Sequence, residues 1–251
     1  MLAVDVGNTH ITSALVEGTD IKNIERVSTA QCIQSGRFFD LLGIKREKIP
    51  SQIIVSSVRR VVAEIIVEES KAALGVEPFI IDRHTDMGIT SSYKTMETLG
   101  MDRLVNACAG YHLYGKGEHP LVIVDMGTAT TIDYVTRSGE FLGGAIAPGL
   151  TSAYHGLHSL APELPLIEIT PVQTIIGQTT DQCMRSGVIG SHAAMVAEMA
   201  CMMGREKQTM PLVVVTGGLS GIVENNLPKG FIVDEHLILK GLCIIYNINK
   251  C

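Results

Sequence analysis

The chain has 251 residues, 46% of them hydrophobic and 18% charged, which is enough apolar material for one large core or two modest ones and excludes a disordered chain. Its formal net charge of -6 excludes the broad positive field that nucleic acid or an anionic membrane surface needs. Any phosphate it binds must therefore be held by local amides and a metal. No basic, cleavable leader precedes the apolar residues that start at Leu2, and the most apolar stretch, 187–204, is interrupted by His192 and Glu198, so it reads as a buried helix rather than a membrane span. Cys32, Cys108, Cys183, Cys201, Cys243 and Cys251 form no CxxC pair and do not cluster with histidine, as expected for reduced thiols in a cytoplasmic protein.

In chain order, β-rich apolar runs predict strands over 2–6 and 11–16, separated by a turn at Gly7-Asn8-Thr9. A short buried strand follows at 53–57, then a helix over 63–74 where apolar residues recur at helical spacing, and a strand at 78–81. A second helix, over 99–114, opens at Gly100-Met101-Asp102-Arg103. The pattern then restarts. Strands are predicted at 121–125, 131–135 and 141–147, the first two joined through Gly127-Thr128, and helices near 152–160 and 181–203. A strand over 212–216 runs into Gly217-Gly218 and a short helix, and a last helix covers about 237–247.

The restart carries an echo. Asp5-Val6-Gly7-Asn8-Thr9 lies between two strands, and so does Asp125-Met126-Gly127-Thr128: each has a carboxylate at a strand end, then a glycine, then a hydroxyl. This implies a duplicated strand–turn–strand unit, and hence an α/β protein of two similar lobes with a central cleft. The predicted lobes are 1–115 and 116–251, divided in the loop-like stretch 112–120.

The chemistry these turns can carry is anion and metal binding. Gly7 allows a sharp turn and close approach of an anion to backbone amides, Asn8, Thr9 and Thr12 add neutral donors, and Asp5 is a hard oxygen ligand of the kind Mg²⁺ uses, often through water. Taken alone, an ordinary Asp/Asn/Gly hairpin turn fits the first segment equally well. In the second, Thr128, Thr130 and Thr131 crowd more hydroxyls after a glycine than a plain turn needs. Two acidic hairpins facing a shared cleft would suit a metal-bound polyphosphate and phosphoryl transfer. No GxxxxGK[ST] occurs, and no GxGxxG follows a strand, which argues against a P-loop and a dinucleotide fold.

Six strings together resemble type III pantothenate kinase, in that family's order and spacing and over nearly the whole chain. They are Asp5-Val6-Gly7-Asn8-Thr9, Leu99-Gly100-Met101-Asp102-Arg103, Asp125-Met126-Gly127-Thr128-Ala129-Thr130-Thr131, Gly143-Gly144-Ala145-Ile146-Ala147-Pro148-Gly149, Gly177-Gln178-Thr179-Thr180 with Met184-Arg185-Ser186-Gly187, and Thr216-Gly217-Gly218. The resemblance implies the actin-like ATPase fold, with ribonuclease H-like lobes, and a homodimer. It implies transfer of the γ-phosphate of ATP, with Mg²⁺, to the primary hydroxyl of pantothenate, the first step of coenzyme A biosynthesis. By the same resemblance Asp5, Val6, Gly7, Asn8, Thr9, His10, Ile11, Thr12 and Thr128 contact ATP, and Asp102 is the general base. Tyr93, Gly100, Met101, Asp102, Arg103 and Thr180 bind pantothenate, and Asp125 binds a monovalent cation, potassium or ammonium.

Elementary chemistry agrees with these roles. Arg103 suits a carboxylate-bearing substrate, and Asp102, in the first turn of a helix, is expected to be favoured in its ionised form by the helix dipole. Without the resemblance, Asp102 would read as a helix cap. The chain departs from the family at Met96, where proline is frequent, and at Thr179, which stands where the family has asparagine. His10 takes no catalytic role. A reading of another class, a catalytically silent regulator, would be favoured by loss of Asp5, Asp102 or Asp125, and all three are present.

Overall fold

The computed structural model describes residues 1–17, 20–44 and 48–250. Strand β1 (Leu2–Val6) is buried at every position but Asp5, because neighbours cover both of its edges. The hairpin partner β2 (His10–Glu17) and then β3 (Asp20–Ser28) extend the sheet antiparallel on one side. β4 (Ile53–Ser57) and β5 (Phe79–Ile80) extend it in parallel on the other, giving the order β3-β2-β1-β4-β5. Helices α1 (Thr29–Ser35) and α2 (Arg60–Leu74) each stop at a glycine in the left-handed region, Gly36 at φ 63° and Gly75 at φ 65°. Leu2, Val4, Val6, Ile11, Ile53 and Val55 share one face of the sheet and form a core with Cys32, Phe38, Phe39, Val62 and Ile66. A short strand β6 (Thr90–Ser91) and a 3-10 turn (Met96–Thr98) lead into α3 (Met101–Gly110), which continues as a π-helical turn over Tyr111–Gly115.

The second half repeats the plan. β7 (Leu121–Met126), β8 (Ala129–Val135) and β9 (Glu140–Pro148) form an antiparallel meander. After α4 (Leu150–Leu160), α5 (Thr180–Arg185), a π-helical turn (Ser186–Gly190) and α6 (Ser191–Lys207), strand β10 (Leu212–Thr216) pairs parallel to β7. With α7 (Ser220–Val223) and β11 (Ile232–Val233), five successive strands of the six-stranded second sheet run β11-β10-β7-β8-β9, the arrangement of the first sheet read in the opposite direction. Val122, Val124, Met126, Ile132 and Tyr134 anchor its core against Tyr154, Met184, Ile189 and Val196.

The chain divides into two compact units: Met1–Ala109 together with the residues from Ile238 onward, and Gly110–Leu237. The closing helix α8 (Leu237–Lys250) therefore groups with the first unit, whereas the sequence reading set the lobes at 1–115 and 116–251. Its contacts explain the grouping. Gly241 lets the Val105 carbonyl of α3 come within 2.5 Å of the place a Cβ would occupy. Asn249 exchanges hydrogen bonds with the backbone of Asp86, and Tyr246 meets Phe79 edge-on at 6.2 Å.

Four expected strands, over 2–6, 53–57, 121–125 and 212–216, fall on observed strands to within a residue. The helix expected over 181–203 is interrupted by the π-helical turn, a feature often found at functional positions. β3, α1 and β11 were not expected. Among the described residues no helix is long and apolar enough to cross a membrane.

Candidate active site

In the first unit the candidate phosphate turn is a tight hairpin: the Gly7 amide donates to the His10 carbonyl at 2.9 Å. A Cβ on Gly7 would sit 3.1 Å from that carbonyl, a close contact that glycine avoids. Two bonds from the first residue of α1 clasp the turn. The Thr29 amide donates to the Thr9 carbonyl at 3.0 Å, and the Thr29 hydroxyl donates to the Gly7 carbonyl at 2.9 Å. Neither bond was foreseeable, since α1 and the strand before it carry no strong pattern.

Strand register sets the side chains beside that turn. Ser56 on β4, Asp5 on β1, Thr12 on β2 and Arg26 on β3 are successive partners, so the four stand in one row on one face of the sheet. Ser56 is buried, Asp5 and Thr12 are half-buried, and Arg26 is exposed at the edge. His10, two residues before Thr12 and thus on the same face, accepts a hydrogen bond at Nδ1 from the Arg26 guanidinium at 3.2 Å. Burial, and then the Arg26 charge, lower the His10 pKa below its ordinary value.

The candidate substrate residues of the first unit gather at the start of α3. Asp102 Oδ1 accepts from the Arg103 amide at 2.9 Å and lies over the α-carbon of Gly100, where any side chain would collide with it. Arg103 is 7% exposed, and its guanidinium carbon sits 5.5 Å from the centre of the Tyr93 ring, a cation–π contact. Burial raises the Asp102 pKa, outweighing the hydrogen bond from the Arg103 amide and the Arg103 charge, which lower it. The helix-dipole expectation of a more acidic group is thus reversed by desolvation, in the direction that suits a proton acceptor.

In the second unit the equivalent turn is one residue shorter, with the Gly127 amide donating to the Ala129 carbonyl at 3.0 Å. It too is clasped by the start of the next helix: the Gly149 amide and the Ser152 hydroxyl both donate to the Thr128 carbonyl, at 3.2 and 2.6 Å. Its row is Thr216, Asp125, Thr131 and Ile146. Gly217, at φ 96°, follows the first of these, and a Cβ there would meet Asp125 Oδ1 at 2.5 Å and the Met126 nitrogen at 2.6 Å. Behind the turn, buried Thr130 and buried His192 are hydrogen bonded at 2.8 Å, and burial lowers the His192 pKa.

Thr180 is exposed on the first turn of α5 and, with Leu157, Leu164, Met184 and Val188, lines a surface cavity of about 670 Å³ that includes neither Asp125 nor Thr128. Thr179 caps that helix, accepting from the Gln182 amide at 3.2 Å. Threonine and asparagine both make this cap, so the departure from the family leaves the local structure intact. Among the described residues no three His, Cys, Asp or Glu side chains converge on a metal position. The donors at the two turns are carboxylate, hydroxyl and backbone oxygens, which suit hard cations such as Mg²⁺ or K⁺ rather than soft ones.

Comparison with known proteins identifies the family and the fold. A model of the type III pantothenate kinase family matches residues 1–201. A type III pantothenate kinase of Geobacter sulfurreducens is 34% identical, and the alignment covers 100% of this chain and 99% of the relative. Two solved structures share the fold. A conserved protein of Campylobacter jejuni described as a Baf family transcriptional activator superposes with TM-score 0.65 at 20% identity, covering 100% of this chain and 99% of its own. An inorganic polyphosphate/ATP-glucomannokinase of Arthrobacter sp. strain KM superposes with TM-score 0.50 at 14% identity, covering 99% and 98%. The fold is that of the actin- and hexokinase-like ATPases, and the chain belongs to the type III pantothenate kinase family.

Proposed function

We propose a division of labour among these residues for the reaction of the family, in which ATP phosphorylates pantothenate to 4'-phosphopantothenate in the first step of coenzyme A biosynthesis. The observation that carries it is the arrangement at the start of α3. A carboxylate of raised pKa is folded over Gly100 and fixed by the next amide, with a buried guanidinium braced by Tyr93 beside it. Asp102 accepts the proton of the substrate's primary hydroxyl as that oxygen attacks the γ-phosphorus. Arg103 holds a carboxylate or amide oxygen of pantothenate with charge-assisted bonds, and Gly100, Met101, Tyr93 and Thr180 complete that contact set.

The turn from Asp5 to Thr12, with Thr128, holds the ATP phosphates. Asp5 would hold Mg²⁺ through water and Asp125 a monovalent cation, potassium or ammonium; such ions would supply positive charge against the transferring phosphoryl group. Activity titrated with potassium chloride against a large organic cation tests Asp125, and full activity without potassium or ammonium rejects its role. The setting is cytoplasmic and the active form a homodimer. Ala107, Cys108 and Ala109 on α3 are buried within the chain, and exposed Ala194 and Met202 on α6 are apolar positions that support a contact between copies. Sedimentation at micromolar concentration decides this, and a fully active monomer rejects it.

The central test is Asp102→Asn. Removing the proton acceptor without changing shape is expected to lower kcat by roughly 10²–10⁴-fold while the unfolding midpoint and pantothenate affinity stay close to wild type. A variant keeping more than about a third of its turnover rejects Asp102 as the base.

A further inference from the structure

We propose that Arg26 is a phosphate-binding residue, held ready by His10, and that it supplies the first unit with the cation its phosphate turn otherwise lacks. The inference rests on reading the Asp5–Thr12 turn as the place where the ATP phosphates bind.

Three observations carry it. The first is position. Arg26 stands in register with Thr12, and Thr12 with Asp5, so all three project from one face beside the turn. The second is the guanidinium's partner. Its hydrogen bond goes to a neutral acceptor, His10 Nδ1, rather than to a carboxylate, so its charge is not cancelled by that contact. Since arginine can only donate, Nδ1 must be the unprotonated nitrogen, and the remaining guanidinium N–H groups stay available for anionic oxygens in the fork geometry that matches phosphate. The third is contrast. The equivalent place in the second unit is Ile146, and the place of His10 is taken by Ala129, so neither half of the pair belongs to the repeated framework. A chain of net charge -6 whose phosphate turn, Gly7-Asn8-Thr9-His10, contains no lysine or arginine has a clear use for a local cation.

Titration calorimetry on the full chain, in Mg²⁺ and fixed potassium, with ATP, ADP, AMP and adenosine as separate ligands, tests the assignment without relying on turnover. Arg26→Ala is expected to weaken ATP binding roughly 10- to 100-fold and to leave adenosine binding unchanged, with ADP or AMP locating the phosphate concerned. Arg26→Lys keeps the charge but loses the fork and is expected to fall between wild type and Arg26→Ala. Unchanged ATP affinity in Arg26→Ala, or equal losses for ATP and adenosine, would overturn the inference. Wild-type chain binding ATP no more tightly than adenosine would instead overturn the phosphate reading of the turn, so the two failures are separable.

Discussion

The two units present nearly the same row of side chains on nearly the same sheet, and they part company at its outer end. The first reads Ser56, Asp5, Thr12, Arg26; the second reads Thr216, Asp125, Thr131, Ile146. Hydroxyl, carboxylate and threonine repeat, while the fourth position is an exposed guanidinium on β3 in one case and a 65% exposed isoleucine on β9 in the other. The inner strands are fixed by packing on both faces, so duplication leaves their chemistry little room to drift. At the third strand of each meander, β3 and β9, the two copies have been put to different uses.

The largest test of this comparison lies one residue beyond the row, where Ser57 in the first unit corresponds to Gly217 in the second. Ser57 is accommodated by hydrogen bonding with the backbone of Arg59, whereas Gly217 has φ 96° and touches Asp125 and the Met126 backbone. Gly217→Ser is therefore expected to cost about 2–4 kcal/mol in denaturant unfolding and to displace Asp125, while Ser57→Gly costs under about 1 kcal/mol. Equal costs would mean the two positions are not structurally distinct.

A middle-sized effect separates Thr130 from Ile11, its counterpart by register. Thr130→Val leaves the buried His192 without its partner and is expected to cost about 1–3 kcal/mol. Because the His192 pKa is lowered in the folded state, the unfolded chain takes up the proton first as pH falls through the ordinary histidine value near 6.5. Stability should therefore decline on the acid side of that value, and His192→Asn should flatten the decline. Thermal midpoints measured between about pH 5 and 8 check the sign.

The smallest effects compare the two clasps. Thr29→Ala removes the hydroxyl bond to the Gly7 carbonyl and Ser152→Ala the one to Thr128, each worth about 0.5–1.5 kcal/mol. Both variants should raise the KM for ATP more than they lower kcat, and by similar factors if the turns serve the same ligand. A change confined to one of them would show that only one turn carries phosphate.

The comparison also explains what could be read from the sequence. β1, β4, β7 and β10 each open with a run of at least three apolar residues because they are buried centrally, and that pattern is visible without any partner. β3 is polar and mostly exposed, with Lys22, Asn23, Glu25 and Arg26 along it, and its extended form comes from pairing with β2. The motif residues Asp5, Asp102 and Asp125 were legible because each sits in a compact string. Arg26 and Thr29 were not, because their roles depend on register and on a helix start that follows an unrecognised strand. Asp102 stands in the first turn of a helix, as the sequence implies, but its electrostatics differ from the expectation, since burial is a property of the packed chain and not of a helix's first turn.

The grouping of α8 with Met1–Ala109 bears on biosynthesis. A ribosome makes residues 110–237 as one uninterrupted run, so the elements of that unit are all synthesised before the other unit has its full set. The unit that holds residues 1–109 is made earlier yet must wait for α8, leaving the surface that receives Gly241 and Tyr246 uncovered until residues 238–250 have followed. The order in which the halves are made is thus the reverse of the order in which they can be completed, and the nascent chain's exposed surface lies on the half that is oldest.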